Sequence, residues 1–146
     1  MIAICSASMV WATGNDAVTV VPQKLFDAMK AHDSVAALAL FAPGATLNSV
    51  DPEGKVTVTP VEKWAERMAT GKNTLLERVW NPKVMEQGSI ATVWAEYDFH
   101  SNGKFTHCGI DSFTLLKTES GWKIASLSFS RVTSSCAPSP LGEPAN

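Results

Sequence analysis

The sequence has no excess of positive charge. Its 12 Lys and Arg residues are set against 14 Asp and Glu residues, which gives a formal net charge of -2 at pH 7. Proteins bind nucleic acid largely by neutralising phosphates with basic side chains, so we expect no nucleic-acid partner. The longest uncharged apolar stretch, residues 2–12, is shorter than the roughly 20 residues that span a bilayer. We therefore expect no membrane partner.

Cysteine is also scarce. Cys5, Cys108 and Cys136 are too few and too widely spaced for a zinc cluster or a multi-disulfide scaffold. The sequence has no Gly-rich phosphate loop and no nucleophile elbow, and its His and Cys residues lack metal-ligand spacing. We expect neither a metal nor a cofactor. A length of 146 residues with 45% hydrophobic residues predicts one domain with a real core.

The N-terminus is weakly signal-like. Residues 1–13 form an apolar run that closes on Val10-Trp11-Ala12, but the run has no positively charged start. We interpret residues 1–21 as a lead-in that contains either the end of a secretory signal or a simple apolar segment. The location stays open between cytoplasmic and exported. Free thiols are favoured in the first case, and a bridge between Cys108 and Cys136 is permitted in the second.

Residues 22–136 are predicted to form the domain, beginning with helices on one face of a sheet. Pro22 suits a first helical turn, and Asp33 can cap a second helix that is stopped by Pro43-Gly44. A hairpin around residues 51–54 follows, and then a third helix begins with Thr59 as the N-cap of a capping box. The apolar positions assigned to the three helices are Leu25, Phe26 and Met29, then Val35, Leu38 and Phe41, then Trp64 and Met68.

The second half of the domain is predicted to be four long strands. They are rich in β-branched and aromatic residues, are separated by turn signals, and cover residues 75–84, 90–100, 104–117 and 122–132. Asn102-Gly103 is the strongest turn signal, because a type I′ turn needs positive φ at both central residues. Residues 137–146 carry little to bury, so we predict a disordered tail.

Pairing around the Asn102-Gly103 turn predicts which side chains share a face. If residues equidistant from the turn lie opposite one another, one face collects carboxylates, an imidazole and aromatic rings. These residues are Trp94, Glu96, Asp98, His107, Asp111 and Phe113. The other face is apolar, with Ala95, Tyr97, Phe99, Cys108 and Ile110, and predicts a homodimer interface.

The mixed face suggests a site for acid–base chemistry. We interpret His107 as the acid/base, Asp98 as the group that orients it, and Asp111 as its partner or the alternative base. Trp94 and Phe113 would wall a planar ligand, with Glu96 beside them. An alternative interpretation is that these residues line the open face of an ordinary sheet and have only structural roles.

Three motifs in the strand region resemble one known superfamily. They are Trp94-x-x-Tyr97-Asp98-Phe99, His107-Cys108-Gly109-x-Asp111-x-Phe113 and Gly121-Trp122-Lys123-Ile124, with Cys136 trailing. Together with the element order, they resemble the nuclear transport factor 2-like (NTF2-like) superfamily, and in particular its SnoaL-like and lumazine-binding-type bacterial members.

The resemblance implies an α+β fold: a cystatin/NTF2-like cone with three N-terminal helices packed on a strongly curved antiparallel β-sheet. It also implies a small-molecule ligand in the cone and a homodimer. The activity implied is that of a cofactor-independent isomerase, dehydratase or cyclase that works by proton transfer. Because one fold hosts many functions, a non-enzymatic ligand-binding or protein-interaction module is the alternative.

Overall fold

The computed structural model describes residues 14–145, so the signal-like segment and Cys5 lie outside the described residues. Within them the chain forms three helices and six strands. The helices are α1 (Gly14–Ala31), α2 (Ser34–Leu38) and α3 (Val61–Thr70). The strands are β1 (Phe41–Val50), β2 (Val56–Pro60), β3 (Leu75–Gln87), β4 (Ile90–Ser101), β5 (Lys104–Thr118) and β6 (Gly121–Ser130).

The strands form one curved sheet in the order β2-β1-β6-β5-β4-β3. The α+β cone predicted from the sequence is confirmed. One pairing departs from the antiparallel prediction, because β6 returns between β5 and β1 and pairs with β1 in parallel. Register shifts interrupt the β1/β6, β3/β4, β4/β5 and β5/β6 ladders, and such irregularities bend a sheet. Helix α1 packs against the concave face, where Leu25, Phe113 and Ile124 are fully buried.

Helix α1 begins at Gly14, eight residues before the predicted start at Pro22. Proline inside a helix removes one backbone hydrogen bond and clashes with the preceding turn. The turn before Pro22 is nevertheless helical because it contributes to the core: Val18 is 0% and Val21 is 5% exposed. Tertiary packing thus overrides the local signal.

The second helix keeps its predicted cap but not its predicted apolar face. The Asp33 carboxylate accepts a hydrogen bond from the Ala36 backbone N–H at 2.9 Å. Val35, however, is 78% exposed, and Ala37 is the residue that this helix buries. Phe41 already belongs to β1 and packs its ring 5.9 Å from that of Trp64.

The third helix begins at Val61, with Pro60 as an N-cap that makes no side-chain cap bond. The predicted capping box at Thr59 is therefore wrong, because Thr59 pairs with Leu47 in the β1/β2 ladder. The helix ends at Thr70 and buries Met68, as the sequence predicted.

The register between β4 and β5 decides which residues face the inside of the cone. The turn is as predicted, with φ of 51° at Asn102 and 72° at Gly103. Two pairs further on, the ladder shifts: His100 pairs with Phe105, but Phe99 pairs with His107. Thr106 is thus an extra residue, and a shift by one position sends every later side chain of β5 to the opposite face.

This shift corrects the predicted faces. The concave face carries Ala95, Tyr97, Phe99, His107, Asp111 and Phe113, and the convex face carries Trp94, Glu96, Asp98, Cys108 and Ile110. The predicted apolar face is therefore divided between the two sides of the sheet, and its Ala95 and Tyr97 are each 1% exposed. The homodimer stays a prediction, without this face as its surface.

The C-terminal segment lies on the convex face. A disulfide joins Cys108 to Cys136, with their Cα atoms 6.1 Å apart and a sequence separation of 28 residues. Beyond it, Arg78 Nη1 donates a hydrogen bond to the Gly142 carbonyl at 2.9 Å, in a segment that the sequence predicted to be disordered. In the chain-entropy model a loop of this length stabilises the fold by about 3.5 kcal/mol.

Gly109 on β5 allows an unusually close backbone approach. A Cβ atom at this position would lie 2.1 Å from the Ser130 carbonyl oxygen. The same carbonyl accepts the hydrogen bond of the Tyr97 hydroxyl at 2.8 Å, and the Ser130 hydroxyl accepts from the Ile110 N–H at 3.0 Å. The absence of a side chain at Gly109 therefore lets the end of β6 anchor Tyr97.

We expect Gly109→Ala to lower the free energy of unfolding by about 3 kcal/mol, because the new methyl group displaces backbone rather than a flexible side chain. Urea unfolding measures this loss. Gly71→Ala is the matched control, since Gly71 has a φ of -65° and its Cβ would come no closer than 3.3 Å to another atom. Equal stability of the two variants would contradict the close approach.

Candidate functional site

A cavity of about 340 Å³ lies between the helices and the concave face of the sheet. Most of its wall is apolar, with contributions from α1, α3, β1, β4 and β6. The apolar lining residues are Met29, Leu47, Trp64, Phe99, Leu127 and Phe129. The polar lining residues are Ser49, Thr57, Thr59, Arg67, Glu77, Tyr97, His107 and Arg131. A cavity with an apolar wall and a few polar groups is typical of small-molecule sites.

Three neighbouring strands bring the polar groups of the deep end together. Phe99 on β4 pairs with Glu77 on β3 and with His107 on β5, so Glu77 and His107 flank one phenyl ring on the concave face. The Phe99 and His107 rings are 5.0 Å apart. Asp111 lies on the same face of β5 and is 1% exposed. It does not line the cavity but lies behind Glu77.

Glu77 and Asp111 form a carboxyl pair in which Asp111 is buried and Glu77 is half-buried. Apart from the Glu77 carboxyl group, no side chain or backbone N–H among residues 14–145 donates a hydrogen bond to either carboxylate oxygen of Asp111. The Glu77 carboxyl lies within hydrogen-bonding reach of Asp111, and a bond between two carboxyl groups requires a proton on one of them. The two carboxyl groups therefore share a proton next to the cavity.

Burial is the main reason why this pair keeps a proton. It raises the pKa of Asp111 to about 7, although the hydrogen bond from Glu77 opposes the shift. Burial also raises the pKa of Glu77 well above its usual range, and the charge of Asp111 and the hydrogen bond to it add to the effect. Because the two groups are coupled, their protons leave in two steps that belong to the pair.

His107 is neutral at pH 7 and presents an acceptor nitrogen. Burial, helped by the positive charge of Arg131, lowers the pKa of His107 to about 4. The Thr106 hydroxyl donates its only proton to the Phe99 carbonyl at 3.0 Å, so it accepts from Nδ1 of His107 at 2.8 Å. This bond places the ring proton on Nδ1 and leaves Nε2 as a hydrogen-bond acceptor.

Tyr97 is an anchor rather than a titrating group. Its hydroxyl donates to the Ser130 carbonyl, and its ring packs edge-on against His107 at 5.7 Å. Burial raises the pKa of Tyr97, and the carboxyl groups of Asp111 and Glu77 raise it further. The phenol therefore stays neutral and fixes one side of the cavity floor.

Of the six site residues predicted from the sequence, His107 lines the cavity and Asp111 lies directly behind its wall. Phe113 faces inward but is part of the sealed core, with its ring 6.2 Å from that of Phe26. Trp94 and Glu96 lie on the convex face, where Lys83 Nζ lies 5.0 Å from the Trp94 ring and Asn81 donates to Glu96 at 3.1 Å. The register shift at Thr106 is the reason for these corrections.

Asp98 also lies on the convex face, so the predicted Asp98–His107 pair is wrong. Arg78 donates to both carboxylate oxygens of Asp98, at 2.9 Å from Nε and 2.5 Å from Nη2. His100 Nε2 lies 3.4 Å from the same carboxylate. Burial acts to raise the pKa of Asp98, but the bond to Arg78 and the charges of Arg78 and His100 outweigh it, and the pKa is lowered. This cluster is an ion pair within the fold.

Sequence reasoning missed Glu77, Arg67 and Arg131. Glu77 and Arg78 are adjacent on one strand, and a strand sends such neighbours to opposite faces, so one of them had to point inward. That signal existed, but the residue pattern alone could not show that the acid rather than the base faces the cone. The two arginines come from distant elements, α3 and the end of β6, and only the fold brings them to the same cavity.

The described residues show neither a metal centre nor a membrane span. Residues 14–145 contain no group of three or more His, Cys, Asp or Glu side chains arranged to hold a metal ion. No helix in this part of the chain has the length and apolar character needed to cross a bilayer.

A family model described as "Putative lumazine-binding" matches residues 13–130. The chain belongs to this family. The predicted relationship to lumazine-binding-type proteins is confirmed, and solved structures described as NTF2-like share the fold. No curated protein matches the chain.

Solved structures share the fold at low sequence identity. An NTF2-like protein of unknown function from Shewanella baltica is 21% identical, with a TM-score of 0.65 over 87% of this chain and 100% of that chain. An NTF2-like superfamily protein from Salmonella enterica is 18% identical, with a TM-score of 0.65 over 84% and 93%. An NTF2-like "putative dehydratase" from Streptomyces avermitilis is 18% identical, with a TM-score of 0.64 over 80% and 94%. These likenesses show the fold alone.

The opposite pKa shifts of Asp111 and His107 predict opposite effects of pH on stability. Asp111 ionises near pH 4 in the unfolded chain and near pH 7 in the folded protein. Its contribution to the free energy of unfolding is therefore present at low pH and is lost as the pH rises from about 4 to 7. His107 protonates near pH 6.5 in the unfolded chain and near pH 4 in the folded protein. Its contribution to the free energy of unfolding is therefore present at neutral pH and is lost as the pH falls from about 6.5 to 4.

We therefore expect Asp111→Asn to make the slope of unfolding free energy against pH more positive than in the parent between about pH 4 and pH 6.5, because one of the two carboxyl groups that offset His107 is gone. His107→Gln should show the reverse, a fall over the same range. Urea unfolding as a function of pH measures both slopes. Asp27→Asn, at an exposed site where Gln23 donates to the carboxylate, is the control. Parallel pH profiles for all three variants would contradict the assigned shifts.

Proposed function

We propose that the protein binds a small apolar or aromatic molecule in its cone and catalyses proton transfer on that molecule with its own acid–base residues. The observation that carries this proposal is the carboxyl pair of Glu77 and Asp111, in which Glu77 lines a largely apolar cavity of about 340 Å³. The family description and the dehydratase described above are consistent with this class of function.

In the proposed reaction Glu77 exchanges a proton with the ligand, and Asp111 shares that proton with Glu77. Glu77 lines the cavity, so its carboxyl group is the one that meets a ligand, whereas Asp111 lies behind it. When the shared proton rests on Asp111, the Glu77 carboxylate can remove a proton from a ligand carbon. When the proton rests on Glu77, the acid can return it to another atom of the ligand. The pair takes one proton from the ligand and returns one to it, so the protonation state of the pair is the same before and after an isomerisation or a dehydration.

His107 complements this pair by holding rather than moving a proton. Its Nε2 atom is an acceptor, and with a pKa of about 4 the ring stays neutral at the pH where the carboxyl pair works. We expect Nε2 to accept a hydrogen bond from a ligand hydroxyl or amine and so to orient the ligand. His107 is therefore a positioning residue, and Glu77 takes the acid/base role that the sequence assigned to His107.

The binding step is tested with the neutral bicyclic ketone 2-tetralone. We expect calorimetry to show saturable binding, because the apolar wall removes the rings from water. Ser49→Phe should weaken binding by about tenfold or more, since the new ring occupies the cavity. Ser128→Phe is the matched control, as Ser128 is exposed on the convex face. Similar losses in both variants would argue against the cavity as the binding site.

The chemical step is tested by exchange of the ketone's α-protons for deuterium in D₂O, followed by NMR. We expect Glu77→Gln to lower the protein-catalysed exchange rate by about 100-fold or more while 2-tetralone still binds, because the amide cannot carry the proton. Asp111→Asn should lower the rate and shift its pH profile.

Glu96→Gln is the control for the chemical step, because Glu96 lies on the convex face. It should leave the exchange rate unchanged. Binding of 2-tetralone without exchange above the background rate would instead favour the non-enzymatic binding module.

A further inference from the structure

Two arginine side chains line the cavity and have no hydrogen-bond or ion-pair partner among the described residues. The sequence contains three arginines, and one of them, Arg78, is bound to Asp98 on the convex face. Arg67 on α3 and Arg131 after β6 both line the cavity. Neither guanidinium group makes a hydrogen bond or an ion pair with any side chain or carbonyl in residues 14–145. Both residues are exposed, so they mark the end of the cavity that meets solvent.

The charges within the cavity are therefore separated by depth. Asp111, behind the cavity wall, is 1% exposed and Glu77 is half-buried, whereas Arg67 and Arg131 are exposed. The rings of Trp64, Phe99 and Phe129 line the wall of the same cavity. The field of Arg131 extends inward, because it contributes to the lowered pKa of His107. A ligand that spans the cavity would meet positive charge at one end and acid–base groups at the other.

We propose that the ligand is a small aromatic or alicyclic carboxylate whose anionic group binds Arg67 and Arg131 and whose ring points toward Glu77 and His107. A guanidinium group presents its N–H donors in a planar fork that matches a carboxylate, and charge-assisted bonds of this kind are stronger than neutral ones. This inference rests on the proposed function and names the ligand class for that site. It also sets the ligand's orientation, with the reacting atoms at the end away from the anion.

A matched pair of probes tests the charge requirement. 2-Naphthoate carries a carboxylate, and 2-naphthamide has nearly the same shape without the charge. At neutral pH and low ionic strength we expect calorimetry to show about tenfold or more tighter binding of 2-naphthoate. Added salt should reduce this preference, because exposed guanidinium groups are screened by ions.

Variants then assign the preference to the two arginines. Arg67→Gln and Arg131→Gln should each reduce the preference for 2-naphthoate, and the double variant should abolish it, mainly by weakening the binding of 2-naphthoate. Lys63→Gln is the matched control: it removes one positive charge from the same helix at an exposed position that pairs with Glu66 and does not line the cavity. It should leave the preference intact.

The possible outcomes separate this inference from the function on which it rests. Equal affinity for both probes would overturn the carboxylate ligand while leaving the binding cavity supported. The same conclusion would follow if the preference survived in the double variant. Failure of both probes and of 2-tetralone to bind would overturn the proposed function and this inference together.

Discussion

The site depends on one irregularity in the sheet, the extra residue Thr106 in β5. Without it, the tight turn at Asn102-Gly103 would place His107 and Asp111 on the outside of the cone. The bulge is held by the Thr106 hydroxyl, which donates to the Phe99 carbonyl and accepts from the His107 ring. The residue that shifts the register therefore also fixes the tautomer of the histidine that the shift turns inward.

The inward turn of Asp111 creates a local conflict that the carboxyl pair resolves. A carboxylate with 1% exposure and no donor is costly, since burial without a hydrogen bond disfavours the charged form. Holding a proton between Glu77 and Asp111 removes part of that cost. The same arrangement leaves a proton beside an apolar cavity, so the proposed chemistry depends on the feature that weakens the fold.

The two faces of the sheet differ in how their charged groups are paired. On the concave face, charge is sparse and poorly compensated, which suits the proposed ligand site. On the convex face, Asp98 is fully bonded by Arg78, and the Cys108–Cys136 disulfide ties the C-terminal segment to β5. Cys108 and His107 are adjacent in sequence, yet the alternation of strand side chains keeps the covalent link out of the cavity.

Local signals in the sequence predicted most of the helices and strands, and the strand motifs predicted the family. The Asn102-Gly103 turn, the Asp33 cap and the long β-branched strands are local signals, and local signals report local backbone preferences. The sequence could not show which carboxylates face the cavity. One extra residue in a strand reverses which of the later side chains point inward, and the residue types around Thr106 do not indicate such a bulge. Glu77, Arg67 and Arg131 became parts of one site only in the tertiary structure, since the sheet order and the helix packing bring residues from distant segments to one cavity.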